Sequence, residues 1–400
     1  MTNQHSPTDL RERINSVLPD LIEFRHDLHR HPELMYEEHR TSERIREELA
    51  KDAISFAGDL AGGTGVLAHV PGQAENAIGL RADMDALPIH EESGVEHAST
   101  IDGKMHACGH DGHTTILLGA AKVLKAISTE HDLPNPVSFV FQPAEEGGAG
   151  GQRMVEDGCL NGSVIGPAIE RMYGLHGWPA MTENVVGSRP GPLLAAADRF
   201  KIEIRGQGGH AAMPHTTADP ITAAATIITT LQQSVSRHID PVLGGVVSVT
   251  VVQSGSAFNV IPDNCILQGT VRALYPEVRD TLKSAVHDIP KSVAAALGCQ
   301  AIVDYHDGYP VTRNDPSTTS AFHELAREVL GDDQVEPLEF PVMGGEDFAY
   351  YCEQVPSCFF VLGQCPKGQD TMPGLHHPAF DFNDQTIATG VEMFCRLAMQ

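Results

Sequence analysis

AIGLRADMDAL at 77–87, HTTILLGAAKVLKAI at 113–127 and PVSFVFQPAEEGG at 136–148 together decide the fold. The first and third are short apolar runs that end on acidic residues. The second repeats its apolar residues at helical spacing. Strand, helix, strand is the grammar of an α/β sheet. GVLAHV at 65–70 and RMYGLHGW at 171–178 extend the alternation on either side. In such sheets chemistry gathers beyond the carboxyl ends of the strands. Asp83 and Asp85 end one strand, Glu145 and Glu146 another, and His176 is placed at the end of a third.

Upstream, from Thr8 to Ala50, Leu21, Phe24, Leu28, Ile45 and Leu49 recur as on amphipathic helices. His26 and His29 fall on a charged helix and His31 precedes Pro32, so solvated or capping roles are expected of all three rather than metal binding. Downstream, SRPGP at 188–192 breaks the pattern. A compact βαββαβ unit follows: a strand at 199–206, a helix from Pro220 to His238, strands at 246–255 and 265–274, a helix from Pro276 to Leu297 and a strand at 301–307. That order is the ferredoxin-like sandwich. A helix at 318–330, a strand at 358–364 and a closing helix from Asp384 then resume the first pattern. The expected architecture is an α/β catalytic domain, 1–193 with 307–400, built on a mixed sheet with helices on both faces. Residues 194–306 form an inserted ferredoxin-like lid and dimerisation domain.

With 53 acidic against 27 basic residues, the chain carries a formal charge of −26. Such a field repels phosphate backbones and anionic membrane surfaces, so neither nucleic acid nor membrane is an expected partner. No apolar run approaches a membrane span, and the opening MTNQHSPTDLRERI has no apolar stretch of leader length. A cytoplasmic protein with reduced thiols is expected, its eight cysteines lacking the spacings of a disulfide scaffold.

Of those cysteines only Cys108, in MHACGHDGH at 105–113, sits among metal-capable residues. Cys108 and His110 are two apart, so an extended loop sets both on one side, and Gly109 lets the backbone fold around an ion. The apolar run from Ile116 marks a helix whose positive end favours a thiolate. In QPAEEGG, two like charges at a buried strand end repel unless a cation offsets them. A metal resolves the conflict: one glutamate ligates and the other serves as general base. His176 in GLHGW and His376 in GLHHPAF complete a mixed N, O and S donor set for two divalent ions with an open position for water. Zinc suits it best, and manganese, cobalt and nickel fit the same ligands.

RADMDALP, MHACGHDGH, QPAEEGG, GLHGW, GGHAAMPH, SAFNVIPD, GTVR, GGEDFAYY and LHHPAFDFND, in that order, resemble the hippurate hydrolase and indoleacetyl-amino-acid hydrolase branch of the metal-dependent aminoacylase and carboxypeptidase family. The resemblance implies that Cys108 bridges two metals while His110, Glu146, His176 and His376 complete their shells. Glu145 is then the general base and Asp85 orients a ligand. Asp83 stands where the wider family has a histidine. His210 steadies the substrate carbonyl, often across a dimer interface, and Asn259 and Arg272 hold its carboxylate. Glu346 and Asp347 shape the cleft floor. The implied protein is a hydrolase of small N-acyl amino acids that assembles as a homodimer or homo-oligomer through the inserted domain. Three other readings stand beside it: a dipeptidase, aminopeptidase or carboxypeptidase of the same mechanism, a cysteine amidase using Cys108, and a non-catalytic metal- or ligand-binding protein.

Overall fold

The computed structural model describes residues 7–400. Residues 1–6, part of the stretch from which the lack of a leader was read, lie outside the described residues. The described residues up to Gly191, with Arg313–Glu339 and Asp347–Gln400, form one compact unit, and Pro192–Thr312 with Phe340–Glu346 form a second.

The first unit is built on an eight-stranded mixed sheet. Across it run Ser55–Leu60, Gly65–Val70, Val137–Gln142, Ala77–Asp83, Ile169–Thr182, Ser357–Cys365, Val186–Ser188 and Val335–Pro337. The four central strands, from Val137–Gln142 to Ser357–Cys365, are mutually parallel, so their carboxyl ends share one edge. VSFVFQ is buried at every position, as a strand covered on both faces must be. Alternation along Ala77–Asp83 divides its side chains between the two faces. Leu80 and Ala82 join the core formed with helices Pro7–Arg30, His110–Glu130 and Ile387–Ala398. Arg81 belongs to the opposite set and lies over the ring of Phe348, beside the short helix Ala349–Cys352.

His176 does not end its strand. Ile169–Thr182 outruns the others because it continues to pair with Ser357–Cys365 as far as Thr182. Its pairing with Ala77–Asp83 stops at Arg81↔Gly174, and two residues on bring Asp83 and His176 to the same level. The histidine therefore still stands at the shared carboxyl edge.

The second unit holds strands Ala196–Arg205, Gly245–Gln253, Asn264–Ala273 and Gln300–Tyr309 and helices Pro220–His238 and Pro276–Ala296. Its sheet order, Gly245–Gln253, Asn264–Ala273, Ala196–Arg205, Gln300–Tyr309, is antiparallel throughout and is the ferredoxin-like βαββαβ arrangement. Asp219 caps the first helix by accepting from the Ile221 and Thr222 amides, with Pro220 at the first turn. No described helix is long and apolar enough to cross a membrane.

Candidate metal centre

Gly109 opens the site. Its φ of 90° lies in the left-handed region, and a Cβ there would come within 2.9 Å of the Phe382 ring. From this turn the helix starts at His110, six residues before the apolar run at Ile116 that marked it in the sequence. His110, Asp111, His113 and Thr114 are polar yet fully buried. Their polarity disguises the first turn of a helix that faces the strand ends. Cys108 sits just before the helix, at the positive end of its dipole.

Two donor groups meet at this thiol. Cys108, His110 and His176 offer ligand atoms within 4.8 Å of one another, and so do Cys108, Glu146 and His376. Cys108 Sγ lies 3.4 Å from His176 Nε2, and His376 Nε2 lies 3.1 Å from Glu146 Oε1. Hydrogen bonding fixes the imidazole tautomers. His176 Nδ1 donates to the Gly177 carbonyl at 2.7 Å and His110 Nδ1 to the Asp85 carbonyl at 2.8 Å. The other nitrogen of each ring belongs to the cluster: His176 Nε2 lies within hydrogen-bonding reach of the Cys108 thiol, and His110 Nε2 is buried with no hydrogen-bond partner. Burial, with His113 adding to it, drives the His176 pKa well below the usual range, which keeps that ring neutral. Burial would lower the His110 pKa, but the Asp83 and Cys108 charges outweigh burial and hold it well above the usual range, so that ring would release a proton to take up a metal. Imidazoles, a thiol and a carboxylate are the donors a borderline divalent ion takes, so the residues fit such a metal. Burial and then the Glu146 charge push the Cys108 thiol up, the reverse of an activated nucleophile.

The glutamate pair leaves Val137–Gln142 through a loop held from below by Asp85. One Asp85 carboxylate oxygen accepts from the Glu145 amide at 3.0 Å and the other from the Glu146 amide at 2.9 Å. Asp85 thus fixes three members of the site at once: both glutamates through their backbones, and His110 through its own carbonyl. Glu145 Oε1 also accepts from the Asp347 amide, at 3.4 Å.

Asp83 is engaged elsewhere. It accepts from Arg81 Nη1 at 2.7 Å and from His113 Nδ1 at 2.7 Å, and stands 3.8 Å from His110 Nε2. Burial would raise its pKa, but His110, Arg81 and His113 outweigh burial and hold it well below the carboxylate range. His113 Nε2 accepts from the Gly177 amide at 2.7 Å, so both nitrogens of that ring are used within the protein. Arg81, fully buried, also donates to Gln142 Oε1 at 2.8 Å and to Asp347 Oδ1 at 2.8 Å. One guanidinium therefore ties the strand end to Asp347. Burial, opposed by Arg81, leaves Asp347 raised to about 6.

The second unit carries the other candidates. Gly209–His210 pairs with Val260–Ile261, and the Ala211 amide donates to the Asn259 carbonyl at 3.1 Å, which sets His210 and Asn259 side by side. His210 is exposed. Arg272 lies on Asn264–Ala273, half-buried, donating to Thr270 Oγ1 and, at 3.1 Å, to the Val271 carbonyl. Glu346 is buried in this unit.

The upstream histidines correct one expectation. His29 is not solvated: it is fully buried, with Nδ1 2.8 Å from Asp111 and Nε2 3.1 Å from Glu91. Apolar spacing could not reveal this, because its partners lie 82 and 62 residues away. His26 stacks on His97 with ring centres 3.7 Å apart and meets Asp384 at 2.8 Å, and His31, just past helix Pro7–Arg30, bonds the Asp27 carbonyl in its last turn. Sequence reading passed over His113 and Glu38, both buried and both bonded beside the site.

Known proteins share this arrangement of chain. An N-acetylcysteine deacetylase of Bacillus subtilis is 39% identical over 380 residues, 95% of this chain and 96% of that protein. The IAA-amino acid hydrolase ILR1-like 4 of Arabidopsis thaliana is 39% identical over 388 residues, 96% of this chain and 86% of its own length. Among solved structures, the YXEP protein of Bacillus subtilis, described as a dinuclear metal-binding peptidase of the M20 family, superposes with a TM-score of 0.81. It is 36% identical and covers 96% of this chain and 98% of its own. Peptidase family M20/M25/M40 matches residues 79–400, and the chain belongs to that family.

Proposed function

We propose that the protein hydrolyses the amide bond of N-acyl amino acids, of the N-acetyl or hippurate-like kind, releasing a carboxylic acid and the free amino acid. The observation that carries this reading is the gathering of His110 and His176 beside the Cys108 thiol, next to adjacent glutamates whose amides Asp85 holds. Relatives named as an N-acetylcysteine deacetylase and an IAA-amino acid hydrolase support the substrate class. Cys108, His110, Glu146, His176 and His376 would hold two divalent ions, zinc foremost, with manganese, cobalt or nickel as the other fits. Such ions, when bound, polarise a carbonyl and ease the deprotonation of water.

The remaining work falls to the chain. Glu145 takes a proton from the attacking water, whose oxygen bonds to the acyl carbon. As the C–N bond breaks, Glu145 hands that proton to the departing amine. His210 steadies the developing oxyanion, and Asn259 and Arg272 hold the substrate carboxylate. A chain of charge −26 needs such a local donor cluster to bind an acid. The inserted unit, read as residues 194–306, serves as lid and dimer contact. Gly245–Gln253 supports the contact role: it is an edge strand with Val252 58% exposed, suited to pairing with a second copy. We place the enzyme in the cytoplasm, as a homodimer or homo-oligomer.

Glu145→Gln tests the assignment. It is expected to lower kcat on N-acetyl amino acids by at least ~10³-fold while bound metal stays unchanged. Full activity in that variant would refute the role.

A further inference from the structure

Glu38 stands immediately before helix His39–Lys51, in the position whose side chain ordinarily caps the first turn, yet it makes no capping bond. Glu33 does that work instead, its carboxylate accepting from the Arg40 amide at 3.0 Å and the Thr41 amide at 2.8 Å. The Glu38 side chain is fully buried and turns the other way. One of its oxygens accepts from the Thr64 hydroxyl at 2.9 Å, the other from the Ala144 amide at 2.9 Å. A buried carboxylate is costly to keep unless it is bonded, so this arrangement needs a use.

Ala144 supplies one. It directly precedes the glutamate pair and has a φ of 56°, in the left-handed region that an L-residue with a Cβ enters at a cost. Its neighbours' amides are held as well, that of Glu145 by one oxygen of Asp85 and that of Glu146 by the other. Three consecutive backbone N–H groups, at 144, 145 and 146, are therefore taken by two buried carboxylates that come from distant parts of the chain.

We propose that Glu38 is a positioning residue for hydrolysis: it clamps the Ala144 amide, holds that residue in its left-handed conformation, and so sets the direction in which Glu145 and Glu146 leave the strand. The proposal rests on the amide-hydrolase reading for its catalytic consequence, and on geometry alone for the clamp. Without Glu38 the loop relaxes toward ordinary backbone angles and the carboxylates rotate out of line. Gln in its place keeps an oxygen for the Ala144 amide and so keeps the clamp.

Two readouts test it. In the metal-free protein, amide hydrogen exchange at 144–146 is expected to speed up at least tenfold in Glu38→Leu, with Ala77–Asp83 still protected, and to stay within threefold of wild type in Glu38→Gln. In the metal-loaded enzyme, Glu38→Leu is expected to lower kcat at least tenfold with KM within threefold, and Glu38→Gln to hold both within threefold. Leu49→Ala, a core change on the same helix, is expected to lower thermal stability and leave kcat in place. Should Glu38→Leu not fold, Thr64→Val removes the hydroxyl that orients the carboxylate and is expected to show the same shifts at about threefold. Unchanged exchange at 144–146 in the folded variant overturns the clamp whatever the activity. Changed exchange with unchanged kcat overturns the positioning role. A wild-type enzyme inert toward every N-acyl amino acid sinks the amide-hydrolase reading and leaves the exchange result to decide the clamp.

Discussion

At the scale of the residue, the site is a set of groups whose second bonds decide what their first can do. His110 and His176 each give one nitrogen to a backbone carbonyl, which orients the other toward the cluster around Cys108, where it could take a metal. His29 shows the same logic applied to stability. Burial lowers its pKa, but Asp111 and Glu91 on either side overcome burial and push it up to about 9. A histidine whose folded pKa exceeds its unfolded value stabilises fully below about pH 6.5, and that stabilisation disappears as pH rises through 9. The full effect is on the order of 3 kcal/mol. Urea unfolding of the metal-free protein should therefore show stability falling between pH 6.5 and 9, and His29→Gln should flatten that slope. An equal slope in the variant would assign the pH dependence to other groups.

At the scale of the element, local patterns were readable where local chemistry fixes them. Pro220–His238 was read to the residue because Asp219 and Pro220 punctuate its start. The helix at His110 begins earlier than its apolar run announces, because its first turn is polar and buried, and polarity in a buried turn looks like loop. The sequence makes His176 a strand end because nothing in YGLHGW reveals how far a neighbouring strand extends. The side-chain hydrogen bonds of Glu38, Asp347 and His113 join residues 26 to 266 positions apart, beyond the reach of any local pattern. Helix packing carries a further prediction. Gly119 lets His110–Glu130 approach two other helices, for a Cβ there would lie 2.7 Å from Leu21 and 2.8 Å from Val391. Gly119→Leu overpacks this contact and should cost about 1–3 kcal/mol, even though leucine favours the helix. Thermal unfolding that is unchanged or improved would show that the helices have room to separate.

At the scale of the whole molecule, the chain folds as two compact units. The candidate ligands all belong to the first, although they come from a helix start, a strand interior and two loops spread between 108 and 376. With ligands so spread, a metal held there would cross-link the fold as well as serve the chemistry. Anything bound only by the folded state stabilises it by mass action, so chelation should lower the melting temperature and readdition of zinc or manganese should restore it.

The most direct measurement is metal content per chain, by elemental analysis, alongside hydrolysis of an N-acetyl amino acid in wild type and Cys108→Ala. The account predicts two ions per chain and turnover in wild type. With the shared thiol removed, at most one ion should be retained and turnover lost. Two retained ions in Cys108→Ala, or undiminished hydrolysis after complete chelation, would contradict it.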